Sequence, residues 1–210
     1  SVSRGLGDVY KRQILDNPNV DDAMRQQFLE RCYAQSQRLT SLLQDISTLN
    51  KMDDGVQMMD FTDVDVAQLV AGIAKTTALQ LEQKGMKAVV DLPERLVIHG
   101  NQSLLYSIFR NLTDNAIAYA GEGTTIQLSA HDEGSQWRFV FSDNGVGIEP
   151  QHLSRIFERF YRVDKGRSRK MGGTGLGLAI VKNAVGLHGG SITATCPAEG
   201  GMRFEFTLNK

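Results

Sequence analysis

The chain has 210 residues, of which 41% are hydrophobic and 22% are charged, the composition of an ordinary soluble globular protein of one or two small domains. A formal net charge of -1 gives no general field for a nucleic-acid partner, and the two cysteines, Cys32 and Cys196, are too far apart for a CxxC pair, which excludes a zinc or disulfide framework and favours a reducing compartment. No apolar run approaches the roughly 20 residues of a membrane span and no signal peptide opens the chain, so we expect a cytoplasmic chain whose parent could be anchored in the bacterial inner membrane through parts outside it.

The first segment, residues 1–13, carries three basic residues and two glycines without a clear period. It runs abruptly into Ile14–Pro18, a pattern typical of a helix end followed by a turn. We therefore expect residues 1–13 to be either a non-native leader or a disordered terminus.

A long amphipathic helix is predicted over Asp21–Met52. Asp21 and Asp22 favour its N-terminus, and Asp54 with Gly55 ends it. A helix of this length with one apolar face needs a partner helix, which would come from another chain or from a missing segment. The apolar stripe consists of Phe28, Cys32, Leu39, Leu42, Leu43, Ile46, Leu49 and Met52.

From Phe61 onwards, helices and short strands alternate. In the hairpin, Trp137, Phe139 and Phe141 fall on one face, as a half-buried strand requires. Helices on one face of a mixed, largely antiparallel sheet make an α+β, two-layer sandwich. The predicted helices are Asp65–Lys84, Gln102–Ala120 (capped by Asn101) and Thr174–His188, and the predicted strands are a short one near Phe61 followed by Met86–Asp91, Leu96–Ile98, Thr124–Asp132, Gln136–Ser142, Ser191–Pro197 and Met202–Leu208.

The first motif of chemical interest lies on the second of these helices. Asn111, Asn115 and Tyr119 are spaced i, i+4, i+8 and therefore share one stripe. Two amides beside an apolar face are commonly plain surface residues. An asparagine carbonyl is also a suitable hard ligand for Mg²⁺, which keeps several waters and binds phosphates.

The second motif follows a strand directly and contains Asp143, Gly145 and Gly147. A hairpin turn is one interpretation, because Asn-Gly is a strong turn signal, but no strand returns at once. A carboxylate at a strand end could instead accept a hydrogen bond from an exocyclic amine. The two glycines would let a flat ring approach the backbone.

The third motif begins at Ile156 and opens a basic run. Between Arg155 and Lys170 there are seven basic and two acidic residues. Such a run is usually a solvated face, but its position beside the glycines predicts a phosphate-facing lid. We expect Phe157 and Phe160 to anchor this lid to the core.

The fourth motif is a glycine-rich segment that leads into a helix and contains Gly173, Thr174, Gly175, Leu176 and Gly177. Backbone N–H groups at a helix N-terminus bind phosphate, and glycines let it come close. The segment is not a P-loop, since GxxxxGK[ST] is absent, and it follows no strand of a βαβ unit. Without HRD or DFG, a eukaryotic-type protein kinase is excluded.

In this order, the four motifs resemble the N, G1, F and G2 boxes of sensor histidine kinases. The segment His188–Gly190 resembles the one that closes the family's domain, and Arg38–Asp53 is similar to the second helix of its dimerisation hairpin. The resemblance covers about Ile14–Leu208. It implies a Bergerat-type ATP-binding fold at residues 58–210, preceded by a partial hairpin at 14–57.

The resemblance also implies roles for individual residues, with ATP and Mg²⁺ as cofactors. Asn115 would coordinate Mg²⁺ with Asn111 nearby, Tyr119 would pack on the adenine, and Asp143 would accept from its amino group. The remaining members of the implied ATP site are Gly145, Gly147, Gly173, Thr174, Gly175, Leu176 and Gly177, with Arg110 and the basic residues of the lid as weaker candidates.

Two departures from the family's pattern stand out. Ala118 occupies the position where the family often has a lysine that can reach phosphate. The phosphoacceptor histidine is missing, because none of the four histidines lies on the predicted hairpin helix. His188 falls at a helix end, where a charged imidazole would suit the helix dipole. The other histidines are His99, His131 and His152.

By resemblance, the intact family transfers the γ-phosphoryl group of ATP to that histidine within a homodimer, and then to the receiver domain of a response regulator. We expect this chain to bind Mg-ATP without phosphorylating itself. Three alternatives stay open at this point: a related gyrase- or chaperone-type ATPase, a non-enzymatic ATP-binding regulator, and an anti-sigma-type serine kinase.

Overall fold

A computed structural model describes residues 21–53, 59–163 and 173–210 of the chain. The predictions for residues 1–18, for the end of the long helix at 54–55 and for the basic run at 164–172 lie outside these residues. The chain divides into two compact units, residues 1–43 and residues 44–210.

The long predicted helix is confirmed as α1, Asp22–Asp53. Its N-terminus is capped by the Asp21 carboxylate, whose Oδ1 accepts from the Ala23 N–H at 2.8 Å. In the first unit Phe28 and Leu42 are half-buried, while five large apolar side chains of this helix are exposed, as expected for a helix whose partner is elsewhere. These side chains are Met24, Leu29, Tyr33, Leu39 and Leu43.

In the second unit the last turns of α1 behave differently, because Leu49 and Met52 are buried there. The two compact units therefore divide at residue 43, upstream of the boundary at residue 58 that the sequence predicts. The end of α1 packs as part of the larger unit.

The second unit contains a five-stranded sheet in the order β2-β4-β5-β7-β6. Its β2 and β4 strands are parallel and all other neighbours are antiparallel, which confirms the predicted mixed, largely antiparallel sheet. A separate antiparallel pair joins β1 and β3. The strands are β1 Thr62–Asp65, β2 Lys87–Asp91, β3 Val97–Gly100, β4 Thr125–Asp132, β5 Gln136–Asp143, β6 Ile192–Thr195 and β7 Arg203–Asn209.

Helices of this unit form the second layer of an α+β fold. The caps of two of them explain where they begin: the Asp65 carboxylate accepts from the Ala67 N–H at 3.0 Å, and the predicted cap Asn101 accepts from the Leu104 N–H at 3.0 Å. A single turn at Pro150 was not predicted from the sequence. The helices are α2 Val66–Gln83, α3 Gln102–Tyr119, α4 Pro150–Leu153 and α5 Gly177–Leu187.

Three phenylalanines join the helical layer to the sheet. Phe139 of β5 is paired in register with Phe206 of β7, and their rings stack with centroids 5.1 Å apart. Phe109 of α3 lies edge-on to Phe139 at 5.4 Å. All three are almost completely buried, and aromatic pairs of this kind contribute about 0.5–1.5 kcal/mol beyond their buried area. Because this cluster holds one face of α3 against the sheet, it also determines which face of α3 points away from the sheet.

His188 holds the end of α5 against the start of α3. Its ring is buried, its Nδ1 lies 2.7 Å from the Ala184 carbonyl, and its Nε2 accepts from the Asn101 N–H at 3.1 Å. A carbonyl needs a donor and an amide N–H needs an acceptor, so the imidazole is the neutral Nδ1–H form. The position of His188 at the helix end is confirmed, but the buried ring is neutral and so carries no charge to interact with the helix dipole.

Burial lowers the pKa of His188, and the hydrogen bond to Ala184 opposes this effect only in part. We expect the substitution His188→Gln to remove one pH-dependent contribution to the free energy of unfolding. The histidine contribution is fully present above the ordinary pKa of 6.5 and declines as the pH falls below it, since the unfolded state then binds a proton that the folded state refuses.

Urea unfolding of both proteins at pH 7.5 and pH 5.5 measures this. The stability advantage of the unsubstituted protein over His188→Gln should shrink at the lower pH. A constant advantage would show that folding does not shift the pKa of His188, and an advantage that grew would show that the folded state favours the charged form.

Candidate functional site

The amide stripe of α3 faces the glycine-rich segment Gly173–Gly177, which we call the glycine-rich loop. The Asn111 Nδ2 donates to the Ser107 carbonyl at 2.8 Å, which turns its Oδ1 outward. A Cβ placed on Gly177 would lie only 2.7 Å from that Oδ1. At this point of the loop a side chain of any size would displace the amide.

Tyr119, at the end of the same helix, touches the other end of the glycine-rich loop. A Cβ on Gly173 would lie 2.7 Å from the Tyr119 hydroxyl, and the tyrosine is 38% exposed. Asn115 lies between these two contacts, is half-buried and makes no side-chain hydrogen bond to the described residues. The first and fourth motifs, 54 residues or more apart in the sequence, thus meet in the structure.

Asp143 is the last residue of strand β5, and its side chain is buried. Its Oδ1 accepts from the Gly145 N–H at 2.9 Å and from the Met202 N–H at 3.4 Å. Burial raises the pKa of Asp143, and the two backbone hydrogen bonds oppose that rise. Within the described residues, Oδ2 has no hydrogen-bond partner, so it is available to accept from an amine.

The Asp143 loop, residues 143–147, is not a hairpin turn. Asn144 instead accepts from the Thr125 N–H at 2.7 Å through its Oδ1, which ties the loop to the start of β4. The Gly145 backbone presses on Ala120, just beyond α3: a Cβ there would be 2.3 Å from the Ala120 carbonyl oxygen. Gly147 lies against the Gly201 carbonyl. The loop is therefore held on both sides by backbone.

The glycine-rich loop precedes α5 instead of forming its first turn, so the predicted helix start at Thr174 is wrong. Gly175 has a left-handed φ of 76°, and its carbonyl accepts from the Phe160 N–H at 2.8 Å. The helix begins only at Gly177, where the first-turn N–H groups have no partner within the helix. Leu176 is fully buried, and its N–H donates to the Thr174 hydroxyl at 3.2 Å.

The segment between the two loops is anchored by one phenylalanine, whereas two were predicted. Phe157 packs edge-on against Phe204 with ring centroids 6.4 Å apart. Phe160 is 63% exposed and has a φ of 65°, so the prediction that it anchors the lid is wrong. Its backbone rather than its ring is what the fold uses, through the bond to Gly175.

Arg162 is a site residue that the sequence placed only within a general basic run. Its Nε and Nη2 are buried without a hydrogen-bond partner in the part of the chain that the structure describes. Its Nη2 is 3.9 Å from the position of a Cβ on Gly173. A guanidinium with two buried nitrogens that lack partners, beside the glycine-rich loop, favours an anionic ligand. In the sequence, Arg162 differs from the other basic residues of the run only in following Phe160 and Tyr161 directly. Its burial becomes visible only in the structure.

Other candidates are engaged elsewhere. Arg110 pairs with Asp114 at 2.8 Å. Of the histidines, His152 Nδ1 lies 2.7 Å from the Tyr161 hydroxyl, His99 bonds to Asp63 at 3.0 Å, and His131 is exposed on β4.

The described residues contain neither a cluster of metal-binding side chains nor a membrane-spanning helix. No group of three or more His, Cys, Asp or Glu side chains among them could hold a metal ion. A Mg²⁺ that takes an amide oxygen, phosphate oxygens and water does not need such a group, and the half-buried Asn115 fits that mode. No helix in the described part of the chain is long and apolar enough to cross a membrane.

Comparison with known proteins identifies the family. The model of the histidine kinase-, DNA gyrase B-, and HSP90-like ATPase family matches residues 100–210, more than half of the chain. The sensor-like histidine kinase SenX3 of Mycolicibacterium smegmatis is 32% identical over 204 residues, which cover 97% of this chain and 53% of that protein. The chain therefore spans about half the length of the curated relatives it matches.

Solved structures agree with this. The mycobacterial sensor histidine kinase MprB is 26% identical, with a TM-score of 0.61 over 71% of this chain and 97% of that chain. The histidine kinase ThkA, solved in complex with the response regulator protein TrrA, shares the fold at 19% identity, with a TM-score of 0.74 over 97% of this chain and 56% of that chain. The chain belongs to the histidine kinase-, DNA gyrase B-, and HSP90-like ATPase family, and the resemblance in its four motifs to the catalytic part of a sensor histidine kinase is confirmed.

Proposed function

We propose that this chain binds Mg-ATP between α3, the Asp143 loop and the glycine-rich loop, and that it supplies the phosphoryl-donor half of a sensor histidine kinase. The observation that carries the proposal is the meeting of Asn111 with Gly177 and of Tyr119 with Gly173. These contacts bring a hard oxygen ligand, an aromatic ring and a loop of backbone N–H groups to one place. ATP, the nucleotide of this ATPase family, carries chemical groups that suit all three.

The adenine would lie at the Asp143 loop. Asp143 uses Oδ1 on backbone amides and keeps Oδ2 free, so Oδ2 can accept from the exocyclic amine. Gly145 and Gly147 let the Asp143 loop lie directly against Ala120 and Gly201, and the partly exposed ring of Tyr119 can pack on the purine. A buried carboxylate with a raised pKa gains most from such a donor.

The phosphates would lie at the glycine-rich loop. There they meet the first-turn N–H groups of α5, the Thr174 hydroxyl and the unpaired nitrogens of Arg162. Asn115, with Asn111 beside it, would hold Mg²⁺, which when bound neutralises charge on the phosphate oxygens. Because Ala118 cannot contact phosphate, we assign the missing cationic role to Arg162.

The domain boundaries and partners follow from the same proposal. Residues 58–210 form the ATP-binding domain, and residues 14–57 form part of a dimerisation hairpin whose exposed apolar face on α1 pairs in a homodimer of the parent protein. The parent passes its phosphoryl group to the receiver domain of a response regulator, which the complex of ThkA with TrrA supports. We further propose that the parent is anchored in the bacterial inner membrane.

The substitution Asp143→Asn tests the adenine contact. It keeps an oxygen for the Gly145 and Met202 amides but replaces the free acceptor with a donor that opposes the adenine amine. Losing a hydrogen bond to a charged group costs about 1.5–3 kcal/mol, so we expect Mg-ATP to bind about 10- to 150-fold more weakly, and Asp143→Ala to lose a similar amount.

Isothermal titration calorimetry measures both variants. The control is Asp91→Asn, the same change on the exposed edge strand β2, which should bind Mg-ATP like the unsubstituted chain. Unchanged affinity in Asp143→Asn would remove Asp143 from the site.

Arg162→Met separates phosphate recognition from adenine recognition. Methionine keeps the length and apolar stem of the side chain but removes the charge, so the affinity for Mg-ATP should fall by about tenfold or more. The affinity for adenosine should change little. Arg203→Met, which removes an exposed arginine paired with Glu205, is the matched control, and an equal loss of adenosine and ATP binding by Arg162→Met would contradict a phosphate role.

The missing phosphoacceptor histidine leads to a separate prediction. None of the four histidines lies on α1, so the purified 210-residue polypeptide should bind Mg-ATP without acquiring phosphate. Incubation with γ-labelled ATP, followed by acid and base treatment, distinguishes phosphohistidine from phosphoserine and from free phosphate. Acid-labile phosphate on the polypeptide would overturn the prediction, whereas phosphoserine or rapid ATP hydrolysis would favour the serine-kinase or ATPase alternatives.

A further inference from the structure

The last turns of α1 contact both sides of the proposed phosphate site. The Thr174 hydroxyl donates to Oδ2 of Asp45 at 2.8 Å. About two turns further along, Asp53 accepts from Nη2 of Arg159 at 2.8 and 3.1 Å. Thr174 belongs to the glycine-rich loop, and Arg159 precedes Phe160, whose N–H bonds to that loop. All four side chains lie in the second compact unit.

The hydroxyl of Thr174 has a single proton to give. In this structure the Asp45 carboxylate takes that proton's hydrogen bond, while the Thr174 oxygen accepts from the Leu176 N–H at 3.2 Å. A phosphate oxygen can only accept. The Thr174 hydroxyl therefore cannot donate to a phosphate while it donates to Asp45.

The charge of Asp45 adds to this exclusion. The residue is half-buried on the same face of α1 as Leu49 and Met52, and within the described part of the chain it forms no salt bridge. Burial raises the pKa of Asp45, and the bond from Thr174 opposes the rise. An uncompensated carboxylate one hydrogen bond away from the loop repels a ligand that carries negative charge.

We propose that Asp45 competes with the phosphates of ATP for the Thr174 hydroxyl, and that α1 thereby holds the glycine-rich loop in a form with low affinity for nucleotide. Asp45 acts on the site through Thr174 and is a regulatory positioning residue. This inference rests on the proposed function, because it assumes that phosphates bind at the loop. Any movement of α1 that separates Asp45 from Thr174 would free the same proton.

The pair of Asp53 and Arg159 contributes less to this competition. Both side chains are about half exposed, at 51% and 46%, and exposed ion pairs of this kind are typically worth about 0–1 kcal/mol. The pair positions the end of α1 beside the loop. The selective contact is the half-buried one between Asp45 and Thr174.

The substitution Asp45→Ala tests the competition. It removes both the acceptor and the charge at a helical position that alanine favours. Calorimetry of the full 210-residue chain should show Mg-ATP binding at least about fivefold more tightly, the lower end of typical coupling between sites. Adenosine, which has no phosphate, should bind unchanged, whereas a general opening of the pocket would change both ligands.

Three further variants serve as controls. Asp22→Ala, at the first turn of the same helix, should leave both affinities unchanged, and Asp45→Glu, which keeps a carboxylate, should retain the weaker binding of ATP. In the Thr174→Val background, which lacks the hydroxyl but keeps its volume, the change Asp45→Ala should lose most of its effect.

The outcomes separate the two proposals. Selective tightening of Mg-ATP in Asp45→Ala, reduced by Thr174→Val, supports the competition. Equal Mg-ATP affinity in Asp45→Ala and the unsubstituted chain, or equal tightening of adenosine and ATP, overturns the competition and leaves the ATP site in place. Failure of every protein to bind Mg-ATP overturns both proposals.

Discussion

The site depends on how the fold divides the two oxygens of Asp143. A carboxylate buried at the end of a central strand is costly unless it is hydrogen-bonded. Here Oδ1 takes two backbone N–H groups, from Gly145 in the following turn and from Met202 beside strand β7, so the group is stabilised by elements on both sides. The same bonds fix its direction and leave Oδ2 without a partner among the described residues. The hydrogen bonds to Oδ1 therefore offset the cost of burying the carboxylate, and Oδ2 is free to accept from a ligand.

The glycines around this carboxylate act mainly by the room they leave. At Gly145 the neighbour that a Cβ would meet is the Ala120 backbone, at 2.3 Å, and backbone cannot rotate away as a flexible side chain can. At Gly177 the neighbour is the Asn111 amide, a proposed ligand-bearing group. Substitution at the first position would push the Asp143 loop away from α3, and at the second it would displace the amide itself. Close approach of three chain segments, more than any single residue, therefore defines the proposed site.

Sequence periodicity and motif order were enough to predict most of the fold: α1, the mixed sheet and the Asn101 cap all lie where apolar spacing and capping chemistry indicate. The failures share a cause, since each depends on a contact between distant segments. The predicted start of α5 is too early, because no local pattern shows that the Phe160 N–H bonds to the Gly175 carbonyl or that Gly175 has a left-handed φ. The neutral state of His188 could not be foreseen locally, because its partner Asn101 lies 87 residues away. In the sequence Arg162 is one of seven basic residues in the run, and only its buried, unpaired nitrogens in the structure distinguish it. A local pattern predicts where a helix or loop is, but tertiary contacts decide which side chains are left unpaired.

The contact of α1 with the glycine-rich loop shows where any coupling between this helix and the nucleotide site must reside. A helix can alter ligand affinity only through contacts that differ between the bound and free states. Among the described residues, the side-chain hydrogen bonds that link the end of α1 to the site segments are those of Asp45 with Thr174 and of Asp53 with Arg159. The second is solvent-exposed and therefore weak. The first is half-buried, involves a charge without a salt-bridge partner, and uses a proton that a phosphate would also require. The larger share of the coupling free energy therefore belongs to Asp45, because only there does binding of the ligand require the loss of a specific contact to the helix.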